Sequence, residues 1–377
     1  MLHDSIASRP SYIEINLAAL ESNFRRISAL VAPVPVMAIV KSNAYGHGLL
    51  ECAAFLERDC GAGYLGVAYV EEGLALRKHG IRIPILVLGG IVGTQIQLFI
   101  ENDLDIVASS VSKLQSIEEE AKRIGKRARV QLKIDTGLER IGVHYYSAES
   151  LLEKAATCQH CDLSGIFTHF VSQDNNHTLT KLQLERFHEV CEFFNKCSLP
   201  MPTRHAAGSG GLLTLAEARL DMVRPGCALY GVLPDPSLRG AIDLDPVMSI
   251  KSEVVYFKVV KKGAGVSYDH AWTAPYDTRV VTVPVGYGDG LFRPLSNNGE
   301  VLIRGKRYPI IGKVCMDQFM VDIGPDGEAF NGDEVVIIGS QGNERISLED
   351  MCGRFEDKNP RVFMVAANTR LPRRLKV

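Results

Sequence analysis

Lys41 stands where an apolar run stops. Val36-Met37-Ala38-Ile39-Val40 precede it, and Ser42-Asn43-Ala44-Tyr45-Gly46-His47-Gly48 follow. An ammonium at the end of a buried strand is costly unless it is paired or chemically used. A lysine there can form a Schiff base with an aldehyde cofactor. Further along, Lys133, Asp135 and Arg140 surround the end of Val130–Ile134, and His169 follows Leu163–Phe167. Ser209 lies in His205-Ala206-Ala207-Gly208-Ser209-Gly210-Gly211, and Arg224 in Val223-Arg224-Pro225-Gly226-Cys227. Each set closes a short apolar run.

Those runs are the elements that must position the chemistry. Val36–Val40, 64–69, 83–88, 104–108, 130–134, 163–167, 204–207 and 222–225 give eight strand candidates. Helical patterns lie between most of them, as at 53–57, 71–78, 111–124 and 182–194, and Leu17, Leu20, Phe24, Ile27 and Leu30 mark a helix before the first. Eight alternations predict an α/β fold, an N-terminal (β/α)8 TIM-type barrel. An open doubly wound sheet is the rival, but no GxGxxG follows the first strand. After Pro234 the rhythm changes. Segments 249–260, 279–285, 300–303, 310–314, 319–323 and 334–338 are short, β-branched and separated by Gly, Asp and Pro. They predict a C-terminal antiparallel β domain. The expected division is 1–240 for the barrel and 241–377 for the β domain.

The chain has 377 residues, 46% hydrophobic and 23% charged, with a net charge of -2. That composition fits a soluble globular protein and gives no general attraction to nucleic acid or to an anionic membrane. Met1–Ser5 lacks the basic start of a signal peptide, and no apolar stretch is long enough to span a bilayer. Nine cysteines, an odd number in a large chain, fit a reducing, cytoplasmic location. Cys158-Gln159-His160-Cys161 has the spacing of half a zinc site. With no second pair nearby, ordinary buried thiols and a surface histidine are expected, and no metal.

In a barrel the active site lies at the C-terminal ends of the strands, and phosphate often sits on the loops after strands seven and eight. The Gly-Ser-Gly-Gly run offers a hydroxyl and close backbone approach. Gly226 and Cys227 offer amide N–H groups. A lysine across the barrel from an anion cradle suits pyridoxal 5'-phosphate, with its aldehyde at one end and phosphate at the other.

The blocks AIVKSNAYGHG (38–48), LKIDTGLERIG (132–142), THF (168–170), MVRPG (222–226), GVSY (265–268), VPVGYGDG (283–290) and KVCMDQF (313–319) occur in this order. With them the chain resembles the alanine racemases, fold-type III pyridoxal phosphate enzymes, over nearly its whole length. The resemblance implies that Lys41 holds the cofactor and also serves as acid and base on one face of the substrate Cα. Tyr268 is implied as the second acid/base. Tyr45, Ser209 and the backbone of Gly226 and Cys227 would contact the phosphate. Arg224 would hydrogen-bond the pyridine nitrogen, held by His169. Arg140 would lie near the cofactor phenolate and substrate carboxylate, oriented by Lys133, which is often carbamylated in the family. Tyr287, Met316 and Asp317 match the entryway and carboxylate region. It also implies a head-to-tail homodimer, in which one copy's β domain covers the other's barrel mouth, and a use in supplying D-alanine for cell wall.

The roles are chemically reasonable. Racemisation takes a proton from one face of Cα and returns one to the other, so two groups on opposite faces are natural. An arginine at the ring nitrogen cannot accept a proton, which disfavours competing carbanion chemistry. Three positions depart from the family pattern. Gly208 stands where an asparagine is usual. Glu139 stands where a glycine is frequent, most simply as a solvated carboxylate. Leu348 aligns with a tyrosine that commonly reaches the cofactor phosphate. The last departure keeps racemisation of serine or of several small amino acids open beside alanine. A decarboxylase of the same fold type, a noncatalytic pyridoxal phosphate carrier and a degenerate remnant are the other readings.

Overall fold

The computed structural model describes residues 9–172, 177–356, 358–367 and 369–377. The chain start read above, Met1–Ser5, lies outside them. Two compact units divide the chain. One is Ala19–Asp245. The other is Pro246–Val377 with the residues up to Ala18.

The first unit is built on parallel strands that follow one another both in sequence and in space. Met37–Ile39, Tyr64–Val67, Ile85–Val87, Leu104–Ala108, Ala128–Asp135, Cys161–Phe167 and Thr203–His205 pair in that order. Their side chains are mostly buried on both faces, as parallel strands covered by helices require. The eighth segment closes the ring without a full ladder. The Met37 N–H donates to Val223 O at 2.8 Å and the Ile39 N–H to Pro225 O at 3.1 Å. On the other side, the Asp221 N–H reaches Arg204 O at 3.0 Å and the Arg224 N–H reaches Ala207 O at 2.9 Å. Pro225 cannot donate, which is one reason this segment pairs irregularly. A two-residue strand, Val143–His144, adds a side pairing to Ala128–Asp135.

Met37, Ile39, Leu86, Val107, Phe167 and Met222 fill part of the barrel interior. The helix Leu17–Val31 packs its Leu20, Phe24, Ile27 and Val31 inward. Leu30, expected on that face, is 37% exposed because the helical period carries the stripe to Val31 instead. No helix among the described residues is long and apolar enough to cross a membrane. All nine cysteines are free thiols.

The second unit is dominated by one sheet. Its order is Tyr256–Val260, Thr278–Val283, Phe319–Gly324, Lys306–Ile311, Glu300–Ile303, Glu334–Gln341, Met248–Glu253, Tyr12–Asn16, Arg373–Lys376, with Glu344–Ile346 paired beside Glu334–Gln341. Pairing is antiparallel except between Tyr12–Asn16 and Arg373–Lys376, which run parallel. The strand expected at 249–260 is two, broken at Val254 and Val255. The chain start, expected with the barrel, groups with the β unit. Tyr12–Asn16 gains a ladder on each side there, which satisfies backbone groups a lone strand would leave open. The break between units falls at Asp245 and Pro246, a few residues past the expected 240.

One buried residue ties the end of the barrel unit to its first helix. Asn23 donates to Leu229 O at 3.1 Å and Asp245 O at 2.7 Å, and accepts from the Asp245 N–H at 2.8 Å. Asn23→Ala leaves those backbone groups unpaired, at a cost of about 2–4 kcal/mol. A clear drop in the thermal unfolding midpoint is expected; an unchanged midpoint contradicts this account.

Candidate active site

The strand carrying Met37–Ile39 ends in an unusual turn. Ser42, Asn43, Ala44 and Tyr45 all have positive φ, between 52° and 56°. Consecutive left-handed residues with side chains cost about 1–2 kcal/mol each. Local bonds hold them. Asn43 Oδ1 accepts from the Leu49 N–H at 2.8 Å, and the Gly46 N–H donates to Ser42 O at 3.0 Å. Glu72 clamps the turn from the next helix, accepting from the Ser42 N–H at 2.6 Å and the Ala68 N–H at 2.8 Å. Strain held this firmly marks a functional position. It also brings Tyr45 against the loop of the eighth segment. A Cβ on Gly226 would fall 2.4 Å from Tyr45 Oη, so only glycine fits beside that hydroxyl.

Ser209 lies at the same place. Its Oγ accepts from the Gly226 N–H at 2.9 Å and the Ala228 N–H at 3.3 Å, leaving its own proton to donate. Cys227 opens the short turn Cys227–Tyr230. Tyr230, buried, donates to Ile39 O at 3.0 Å and packs its ring against Tyr45 and His47. Gly208 precedes Ser209 with no side chain to offer.

Arg224 is the buried cation of the site, 4% exposed. Its guanidinium donates to His205 Nδ1 at 2.7 Å, Thr168 O at 2.8 Å, Ala206 O at 2.8 Å and His169 Nδ1 at 3.2 Å. All these bonds use the two terminal nitrogens. The Nε–H and one Nη1 hydrogen are the donors they leave over. Burial pulls Arg224 down to about 9, so it remains a cation at neutral pH. His169 was expected to hold Arg224 and does, but His205 makes the shorter bond. Both imidazoles are pushed well below the ordinary histidine range, first by burial and then by the Arg224 charge. They are therefore neutral and can accept.

The tautomer of His205 is set further down the barrel. Its Nε2 lies 2.7 Å from Gln131 Oε1, and the Gln131 amide nitrogen is 3.2 Å from Asp105 Oδ2 and 2.8 Å from Tyr64 Oη. A carboxylate only accepts, so the Gln131 NH₂ faces Asp105 and its oxygen faces His205. His205 then carries its proton on Nε2 and offers Nδ1 to Arg224. Asp105, fully buried, is held by Arg129 at 2.6 Å, Ser164 at 3.0 Å and the Tyr64 hydroxyl. Sequence reading named none of Asp105, Gln131 and His205 as site residues. His205 had a visible signal, a polar residue ending the seventh strand. The other two lie mid-strand and had none.

Two lysines face this centre. Burial, and then Arg140, lower the proton affinity of Lys41, while Glu72 opposes the shift. Lys133 is buried, with Nζ 4.6 Å from the centre of the Phe167 ring. Burial and the neighbouring Arg224 push it well below the ordinary lysine range. Two amines are thus biased toward the neutral, nucleophilic form. Asp135 has a structural part. Its carboxylate accepts from the amides of Gly137, Leu138 and Arg140 at 2.8–3.1 Å and shapes the loop that carries Arg140. Glu139 in that loop is a solvated carboxylate, bonded to His144 at 2.7 Å. Its φ of 55° explains why glycine suits the position.

The β unit carries the other predicted residues. Tyr268 is 67% exposed, on a turn where Ser267, Asp269 and His270 all have positive φ. Ser267 Oγ donates to Lys313 O and accepts from the Lys313 N–H, both at 3.0 Å, and Lys313 pairs with Asp269. Tyr287 and Met316 come together through the Gly288 N–H, which donates to Met316 O at 2.9 Å, and both side chains are exposed. Asp317 pairs with Arg370 at 2.6 Å. Leu348 is buried, 5% exposed, and opens a short helix after the cap residue Ser347.

Comparisons with known proteins agree with this architecture. Residues 15–234 match "Alanine racemase, N-terminal domain" and residues 247–375 match "Alanine racemase, C-terminal domain". Alanine racemase 2 of Caldanaerobacter subterraneus is 39% identical over 368 residues, 97% of this chain and 94% of its own. The crystal structure of alanine racemase from D-cycloserine-producing Streptomyces lavendulae superposes with a TM-score of 0.93 at 35% identity, covering 98% of each chain. The Bartonella henselae alanine racemase, solved with covalently bound pyridoxal phosphate, gives 0.88 at 26% identity, covering 98% of this chain and 100% of its own. The chain belongs to the alanine racemase family.

The residues present fit pyridoxal 5'-phosphate. Lys41 would supply the amine, and Tyr45, Ser209 and the glycine-lined loop would form the cradle, a space that a Cβ on Gly226 would fill. Gly226→Ala should therefore raise the cofactor dissociation constant about tenfold or more, a loss of roughly 1.4 kcal/mol. Equilibrium dialysis of the apoprotein measures this; unchanged affinity removes the cradle from this loop.

Proposed function

We propose that this chain interconverts L-alanine and D-alanine with pyridoxal 5'-phosphate, using Lys41 and Tyr268 on opposite faces of the substrate Cα. The observation that carries the reading is Arg224, a buried arginine whose Nε–H is spare while four acceptors fix its two terminal nitrogens. When bound, the cofactor supplies an electron sink for the charge left at Cα. Arg224, a cation at neutral pH, would donate a hydrogen bond to the cofactor's ring nitrogen without giving up the proton. That keeps the nitrogen an acceptor and restrains side reactions that need a protonated ring. Lys41, whose proton affinity is lowered by burial and then by Arg140, is the group placed to hold or move a proton at Nζ. Arg140 is the group for the substrate carboxylate.

Tyr268 acts from the other face, and we assign it to a partner copy of the chain. Its hydroxyl is exposed and its turn is firmly held, the state of a group meant for another surface. The β unit of each copy then covers the barrel mouth of the other in a head-to-tail homodimer, with Tyr287, Met316 and Asp317 at the entry. The free thiols suit a reducing cytoplasm.

Mixing Lys41→Ala chains with Tyr268→Phe chains under exchange conditions tests the shared site. Each variant alone should be nearly inactive. A mixed dimer holds one site with both groups intact, so about a quarter of parental activity is expected when statistical mixing makes half of all dimers mixed. Proven mixed dimers without recovery defeat the arrangement.

Lys133 has a separate expectation. A buried amine whose proton affinity is lowered first by burial and then by Arg224 is suited to add carbon dioxide, losing a proton to solvent and giving a carbamate whose charge Arg224 and Arg140 stabilise. Protein equilibrated with ¹³C-bicarbonate should show one carbamate carbon by NMR, absent in Lys133→Arg. No such signal in the parent protein rules the carbamate out.

A further inference from the structure

One cluster lies outside the chemistry above. Glu118 is on the helix Val111–Ile124. Cys158 ends the helix Glu149–Thr157, and Cys161 opens the strand Cys161–Phe167. One carboxylate oxygen of Glu118 and the two Sγ atoms all lie within 4.8 Å of one another. Sequence spacing alone offered only half a metal site in Cys158-Gln159-His160-Cys161. The fold supplies the third donor from another helix.

We propose that Glu118, Cys158 and Cys161 bind a thiophilic divalent cation, of which zinc is the prime candidate. Two thiolates exclude magnesium and calcium, which take oxygen ligands, and favour zinc or its analogues. A tetrahedral ion with bonds of about 2.0–2.3 Å needs donors roughly 3.5–4 Å apart, so modest side-chain movement inward completes the triangle. The carboxylate is already aimed. Glu118 Oε1 accepts from the Gln159 N–H at 2.9 Å and lies 3.0 Å from His160 Nδ1, while Oε2 accepts from the His160 N–H at 2.9 Å. Such outer contacts orient a ligand and tune it. His160 is thus the orienting histidine, and water fills the fourth position.

A dication bound here takes the place of the two thiol protons, which leave to solvent, and sits against the Glu118 carboxylate. Arg127 offsets the remaining negative charge, holding Asp162 at 2.6 Å and Cys161 O at 3.0 Å. The site lies at the start of the barrel's sixth strand. Phe167, which stacks on His205, ends the same strand about 20 Å away at roughly 3.3 Å per residue. Residues on that N-terminal face serve stability rather than reaction. The ion therefore pins two helices and a strand together and takes no part in racemisation.

Cobalt(II) is the probe. The reduced, cofactor-loaded full chain should take up one equivalent, with a thiolate-to-cobalt charge-transfer band and the visible bands of a tetrahedral ion, and zinc should bleach both. Glu118→Gln should keep the band but weaken binding roughly 10–100-fold. The Cys158→Ser/Cys161→Ser double variant should lose the band while keeping racemase activity within about twofold, which shows that it has folded. Absence of the band in the parent, or its survival in the folded double variant, overturns the site.

Discussion

A buried positive charge organises the barrel. Arg224 is removed from water, which is expensive for a cation, and no carboxylate among the described residues pairs with it. Carbonyl oxygens and neutral imidazoles meet it instead. Those partners satisfy its donors without cancelling its charge, so the charge stays available to whatever binds at Nε. A carboxylate in place of His205 would stabilise the cation better and blunt it. The compensating carboxylate, Asp105, stands two residues down the chain of hydrogen bonds, behind Gln131 and His205. Distance weakens its pull, while the chain still fixes which nitrogen of His205 accepts.

The same charge sets the lysines. Lys41 and Lys133 are both depressed mainly by burial, with Arg224 and Arg140 adding repulsion. Burial, with that charge beside it, therefore gives both lysines the lowered proton affinity that the proposed roles call for. Glu72 opposes this at Lys41, yet its oxygens are occupied by the amides of Ser42 and Ala68. It serves the backbone more than the ammonium. That bond is needed because four left-handed residues follow Lys41, and their strain is tolerable only where neighbouring bonds overdetermine the turn.

Much of this was legible in the sequence, for identifiable reasons. All eight barrel segments were visible because fully buried parallel strands read as continuous apolar runs between helical periods. The cationic and hydroxyl residues of the barrel site were visible because they interrupt those runs at their ends. What stayed hidden depends on long-range pairing. Tyr12–Asn16 looks like a lead-in to a helix, and only its pairing with Met248–Glu253 and Arg373–Lys376 places it in the β unit. Gln131 looks like an ordinary mid-strand residue until the barrel closes and brings His205 opposite it. Glu118 looks like one more charge on a solvated helix face. The left-handed turn after Lys41 has no composition signal, because Ser, Asn, Ala and Tyr do not prescribe it.

The two units also differ in how they hold their reactive groups, and the difference has a physical reason. Apart from the exposed Arg140, polar groups of the barrel cluster are buried or half-buried, and their partners lie within the same unit. Tyr268 is exposed, yet its turn is as constrained as the one after Lys41, with three left-handed residues locked by Ser267 and by the Lys313–Asp269 pair. An exposed loop with no task gains nothing from such strain and would relax. Rigidity together with exposure is what a proton-transferring group needs if it is delivered to a second molecule. It must arrive already oriented, because ordering it on arrival would subtract from the association energy. Under the proposed pairing of two copies, the barrel would keep its charge in a dry interior and the second group would enter only when the copies meet.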